Sequence, residues 1–146
     1  MKEENQKALA SSFIELAIAM HRNFFRKVKL PLPINQFSVL GVLNDDGTVP
    51  MREVGDTLAM PKQQLTSIVD KLVRMGLVEK KENEQDRRQI DISLTPKGTE
   101  LIASFEEKLR EHIKSSFASL SKEDTDRIMS SVKTILKAID RIEKTK

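Results

Sequence analysis

Between Pro61 and Leu94 the hydrophobic period of the chain changes from helical to strand-like, and few folds accommodate that change in so short a stretch. Leu65, Ile68, Val69, Leu72 and Val73 recur at i, i+3, i+4, i+7 and i+8, the spacing of one buried helix face. Pro61 suits the first position of such a helix, and Gly76 is the expected terminator. Two strand-like runs follow, Leu77–Lys81 and Gln89–Leu94, and the second alternates strictly between apolar and polar residues. Glu82–Arg88, polar and charged, is left as the tip of a hairpin. Ahead of Pro61, Met51–Ala59 predicts a short helix with Val54 and Leu58 on one side, broken at Met60-Pro61. The block from about Asp46 to Gly98 therefore describes a winged helix-turn-helix.

The flanks are helical. Leu9, Phe13, Leu16, Met20 and Phe24 predict an amphipathic helix over about Lys7–Lys29, ended by Pro31 and Pro33. A second helix is expected over Ile34–Asn44, followed by a turn at Asp45-Asp46-Gly47 and a very short strand at Thr48–Pro50. Thr95 and Pro96 suit the cap and first turn of a helix carrying Leu101, Ile102, Phe105, Leu109, Ile113 and Phe117. A last helix opens at Ser121 with Asp124 three residues on, an imperfect capping box. Its apolar residues, Ile128, Val132, Ile135, Ile139 and Ile142, are spaced four, three, four, three, a seam of heptad type. The fold class expected is mainly α (α+β).

Composition narrows the chemistry. The 146 residues contain no cysteine and two histidines, His21 and His112. That argues against a disulfide scaffold, thiolate zinc, thiol catalysis and a histidine-centred active site. No nucleophile–base pair, glycine-rich phosphate loop or metal-ligand spacing appears, so no enzyme, cofactor or metal is expected. Apolar stretches fall short of the roughly 20 residues of a membrane span. The polar N-terminus does not read as a secretion signal, so a cytoplasmic protein without a membrane partner is expected. Net charge is +3, which permits a nucleic-acid partner without requiring one.

On the helix starting at Pro61, the face opposite Leu65–Val73 holds Gln63, Ser67, Asp70 and Arg74, flanked by Gln64 and Lys71. In a major groove Lys62, Gln63, Gln64 and Ser67, near the amino end, would reach base edges, and glutamine can pair bidentately with adenine. Lys71 and Arg74 suit phosphates. Asp70 would repel phosphate and is expected to pair with a nearby Arg or Lys. The same face also fits an ordinary solvated surface. At the hairpin tip, Arg87 or Arg88 could enter a narrow minor groove, with Asp86 holding a neighbouring guanidinium. The alternative is a surface turn with a weak local ion pair.

Asp86-Arg87-Arg88 followed by Leu94-Thr95-Pro96-Lys97-Gly98 fits the pattern D-x-R-x5-L-T-x-x-G of the MarR transcriptional regulators. Leu65–Glu79 and Ile34–Leu40 also resemble that family. The resemblance implies that the helix from Pro61, including Thr66, is the recognition helix. It implies that Arg88 is the minor-groove arginine, that Asp86 orients it, and that Arg87 assists. It further implies a homodimer on double-stranded DNA, read here as a repressor on a palindromic operator. Residues 30–98 would be the DNA-binding lobe, with 1–29 and 99–146 the dimerisation lobe. The terminal stripes support pairing independently, since both are more apolar than solvent-facing helices require; an intramolecular helical layer is the alternative. Family members often release DNA on binding small aromatic or phenolic anions, and Met20, His21, Arg22, Phe24 and Phe37 are the candidate effector residues. Two departures stand out. Lys80-Lys81 occupy a place where many members carry arginine, and the absence of cysteine excludes the peroxide-sensing branch. The competing function is a winged-helix protein-interaction module that binds no DNA.

Overall fold

A computed structural model describes residues 1–143. In chain order these form α1 (Lys2–Met20), a π-helical turn (His21–Phe25), α2 (Ile34–Asp46), β1 (Val49–Pro50), α3 (Met51–Thr57), α4 (Lys62–Arg74), β2 (Val78–Glu82), β3 (Ile90–Leu94), α5 (Pro96–Ser116) and α6 (Lys122–Glu143). The chain divides into two compact units, Met1–Leu109 and a second beginning at Arg110.

The core of the first unit is drawn from every element between α2 and α5. Val39, Leu40 and Leu43 come from α2, Val54 from α3, Leu65, Val69 and Leu72 from α4, and Ile92 from β3. Each such side chain contributes roughly 1.5–3 kcal/mol on removal from water. On α4 the expected five-residue face narrows to three buried residues, while Val73 is exposed. At 100° per residue Val73 lies about 80° from Leu65, on the flank of the stripe.

The turns follow from local hydrogen bonding. Gly76, at positive φ, closes α4: the Gly76 N–H donates to Val73 O and the Leu77 N–H to Leu72 O, the two bonds of a Schellman cap. The α3–α4 turn repeats this pattern, with Ala59 N–H donating to Asp56 O and Met60 N–H to Gly55 O. There the left-handed position is held by an alanine, Ala59, at φ 48°. Pro61 sits at the N-cap with ψ 145°, one position before the first helical residue where the sequence placed it.

The sheet has the order β1-β3-β2, all antiparallel. Val49 pairs with Ile92 and Val78 with Leu94. Pro50 is tolerated because β1 is an edge strand.

α1 departs from expectation at both ends. It starts at Lys2, and its α-helical part stops at Met20, well before Pro31. His21–Phe25 widens to a π turn, closed by Arg26 N–H donating to His21 O, and such wide turns do not propagate. The prolines are therefore not its terminators. Pro33 instead opens α2, its carbonyl accepting from the Gln36 and Phe37 N–H groups. No α1 residue is buried. In the second unit, Ser121 caps α6: its hydroxyl accepts from Asp124 N–H at 3.0 Å and donates to the Asp124 carboxylate at 2.8 Å. The box closes on the serine hydroxyl rather than on its backbone N–H.

Candidate nucleic-acid interface

The α4 face opposite the core is open. Lys62, Gln63, Thr66, Ser67, Asp70 and Arg74 line one shallow surface along it. Gln64 and Lys71 are exposed beside them. Thr66 donates its hydroxyl to the Lys62 carbonyl at 2.8 Å, which leaves the oxygen able only to accept a further hydrogen bond. Asp70 is ion-paired with Lys80 on β2, so its carboxylate is matched by the partner type the sequence called for. The residue that supplies this charge is one of the two lysines, Lys80 and Lys81, that the sequence carries beyond Leu77-Val78-Glu79.

The wing is β2, β3 and the 83–89 tip. Its shape comes from two side chains. The Asn83 side-chain carbonyl accepts from the Gln85 and Asp86 N–H groups at 2.9 and 3.0 Å, and its amide donates to Asp91. The Asp86 carboxylate accepts from the Arg88 N–H at 2.9 Å, the short side-chain-to-backbone loop that Asp and Asn favour in turns. Asp86 therefore acts on Arg88 through the backbone N–H and not, as the sequence predicts, through a guanidinium. Among the described residues neither Arg87 nor Arg88 has a carboxylate partner, and both are exposed. Their charges are available to a ligand.

Asn83 and Arg52 join the site without having stood out in the sequence, and Lys80, notable there only as a lysine in place of arginine, joins it too. Asn83 carries no charge and sits in a polar run, where its turn chemistry was the only available signal. Arg52, at the start of α3, and Lys80 join Lys62 and Arg88 around a cleft of about 690 Å3 between α3, α4 and the wing; residues from four elements meet there, which no local pattern shows.

The C-terminal end of α4 is fastened to the start of α5. Thr95 donates its hydroxyl to Gly76 O at 2.6 Å and accepts from Gly98 N–H at 3.1 Å. Its own N–H donates to Leu77 O, and Lys97 Nζ donates to Met75 O. A Cβ at Gly98 would overlap the Leu77 carbonyl oxygen. The Leu94–Gly98 motif is thus a clasp on the exit of α4.

The five candidate effector residues are not gathered into one visible site. Met20, His21 and Arg22 are exposed around the π turn, and Phe24 is half-buried. Phe37 packs edge-on against Phe105, with ring centroids 4.8 Å apart. Among the described residues no helix is long and apolar enough to cross a membrane, and no cluster of three or more His, Asp or Glu could hold a metal.

A short helix, a tight turn, a second helix with an open polar face and a hairpin with free arginines define a winged helix-turn-helix protein. Residues 30–89 match the model of the MarR family. The HTH-type transcriptional regulator YfiV of Bacillus subtilis is 25% identical over 117 residues, 80% of this chain and 73% of YfiV. Among solved structures, a MarR family protein from Bacillus stearothermophilus superposes with a TM-score of 0.72 at 21% identity, covering 96% of this chain and 99% of that one. The PcaV transcriptional regulator of Streptomyces coelicolor, solved with its natural ligand, gives 0.54 at 20% identity over 86% and 89%. Residues 30–89 thus carry a region of the MarR type, and over 80% of its length the chain is similar to an HTH-type transcriptional regulator.

Proposed function

We propose that this chain is a homodimeric repressor that reads a palindromic operator, with Pro61, Lys62, Gln63, Gln64, Thr66, Ser67, Lys71 and Arg74 facing the major groove. Asp86, Arg87 and Arg88 form its minor-groove wing. The observation that carries this reading is that the amino end of α4 and Arg88 border the same cleft, so helix and wing address one side of the molecule. Residues 30–98 do the reading, and 1–29 with 99–146 do the pairing. Pairing is supported by apolar residues that the single chain leaves open: Leu9, Phe13 and Leu16 on α1, and Ile128, Val132 and Ile142 on α6. A twofold mate removes that surface from water, and two copies match an inverted repeat with half-sites about 34 Å apart. A small aromatic or phenolic effector binding near Met20, His21, Arg22, Phe24 and Phe37 releases the DNA by favouring a form that cannot span both half-sites. The π turn at His21–Phe25 supports this placement, because such turns concentrate at functional sites, and PcaV was solved with a natural ligand.

The test joins sedimentation of the free protein to anisotropy titration of the duplex upstream of its own gene, at two salt concentrations. A dimer is expected, with salt-sensitive binding that Arg88→Ala weakens by about tenfold or more. A monomer indifferent to every duplex overturns the reading.

A further inference from the structure

We propose that Met51 and Met60 form an oxidation site, at which hypochlorite converts their thioethers to sulfoxides and so loosens the entry of α4. The consequence for DNA rests on the function proposed above; the chemical step stands apart from it. The chain has no cysteine, so its two-electron sulfur chemistry falls to methionine. Met51 opens α3, and Met60 follows Ala59 in the α3–α4 turn. Both are half-buried and pack against the core. Both also line the cleft of about 690 Å3 between α3, α4 and the wing.

The cleft suits an anionic oxidant. Arg52, Lys62 and Arg88 border it, and none of the three has a carboxylate partner among the described residues. The single carboxylate of the lining is Asp56, and such a positive excess draws anions. The thioether sulfur attacks the hypochlorite oxygen. The S–O bond forms from the sulfur lone pair as the O–Cl bond breaks, and chloride leaves with that bond's electrons. Sulfur is oxidised by two electrons, chlorine is reduced by two, and no proton moves. The cations stabilise the departing chloride and donate hydrogen bonds to the sulfoxide oxygen. The product is polar where the thioether packed against apolar side chains. The turn has little slack to absorb it. Ala59 already stands at φ 48°, a conformation that residues with a Cβ rarely hold. A Cβ at Gly55 would come within 3.3 Å of both Met60 O and Leu65 Cδ2. Drawing Met60 out of the core therefore shifts Pro61 and the first turn of α4.

The experiment treats the full chain, free of DNA, with limiting sodium hypochlorite at mildly alkaline pH and locates sulfoxides by peptide mass spectrometry. Met51 and Met60 are expected to oxidise severalfold faster than Met20 and Met129, although those two are more open, at 37% and 48%. Hydrogen peroxide, which is uncharged, is expected to follow exposure instead. Raising salt from about 0.1 M to about 1 M shortens the screening length from about 10 to about 3 Å and is expected to erase the hypochlorite preference. Arg52→Gln is expected to slow both cleft methionines and to leave Met20 and Met129 unchanged. A hypochlorite order that follows exposure overturns the site. Oxidised protein is then expected to bind a fluorescent duplex severalfold more weakly in anisotropy titrations, and methionine sulfoxide reductase with a dithiol to restore binding. A Met51→Leu, Met60→Leu double variant, which keeps the core volume, is expected to bind alike before and after treatment. Unaltered binding by the oxidised protein, or equal loss in the double variant, overturns the loosening of α4. Unoxidised protein that binds no duplex overturns the DNA-reading function, and the switch with it, while the order of oxidation is still decided by the mass spectra.

Discussion

Asn83 reaches across the neck of the wing and donates its side-chain amide to Asp91 at 2.9 Å. The other carboxylate oxygen of Asp91 is buried without a hydrogen-bond partner among the described residues, so Asn83 alone satisfies that side chain. Its carbonyl meanwhile gathers two N–H groups of the tip. Asn83→Ala removes three hydrogen bonds and leaves the half-buried Asp91 carboxylate bare. The expected loss is about 1–3 kcal/mol, read as a lowered midpoint in thermal unfolding by circular dichroism. DNA affinity is expected to fall as well, because Arg88 is carried on the tip that Asn83 shapes.

Base reading and phosphate binding separate by salt dependence. Gln63→Ala and Gln64→Ala remove groups able to pair with adenine edges. Each change at a position that reads a base is expected to cost about 1–3 kcal/mol on the operator and to relax preference at one base pair, with the salt slope unchanged. Competition titrations against single-base operator variants check this.

The Asp70–Lys80 pair is half-exposed, with 34% and 43% of the lysine and aspartate side chains open to solvent. Its contribution to stability is therefore below about 1 kcal/mol. Its effect on DNA is larger in kind. Asp70→Asn removes a negative charge from the α4 face and frees the Lys80 ammonium. Tighter binding to arbitrary duplex and a steeper salt slope are expected, with reduced discrimination for the operator. Unaltered binding in anisotropy titrations counts against placing this face toward DNA.

Two glycines separate packing from propensity. Gly98→Ala drives a methyl into the Leu77 carbonyl at the α4 clasp, and a loss of about 3 kcal/mol is expected, on the order of 10 °C in midpoint. Gly41, inside α2, has nothing within 4 Å of an added Cβ. Gly41→Ala is expected to gain about 0.5–1 kcal/mol from helix propensity. Urea titrations of both variants against the unmodified protein give the two signs.

The winged module was legible because its signals are periodic or positional. The α4 stripe, the alternation in β3, the Gly76 stop and the Thr95 cap each name a local geometry; all four elements stand where the sequence places them, the stripe narrowed to Leu65, Val69 and Leu72. Asp70 was legible by electrostatics alone, since a carboxylate on a DNA-facing surface requires a cation. Three features lay beyond such reasoning. The π turn at His21–Phe25 has the same apolar spacing as the α-helix it interrupts. Asp86 differs in what it holds, because the choice between a guanidinium and a backbone N–H is decided by turn geometry. Arg52 is one exposed arginine on a seven-residue helix, and only the arrangement of α3 beside the wing brings it to the cleft.

The clasp formed by Thr95, Lys97 and Gly98 leaves the exit of α4 without a hinge. Three carbonyls, those of Met75, Gly76 and Leu77, are already held by α5 and the residue before it. A stimulus that tilts the reading surface away from its groove must therefore swing the first turn of α5 along with it, so a spectroscopic probe placed on that turn reports the motion without touching any group that meets the nucleic acid.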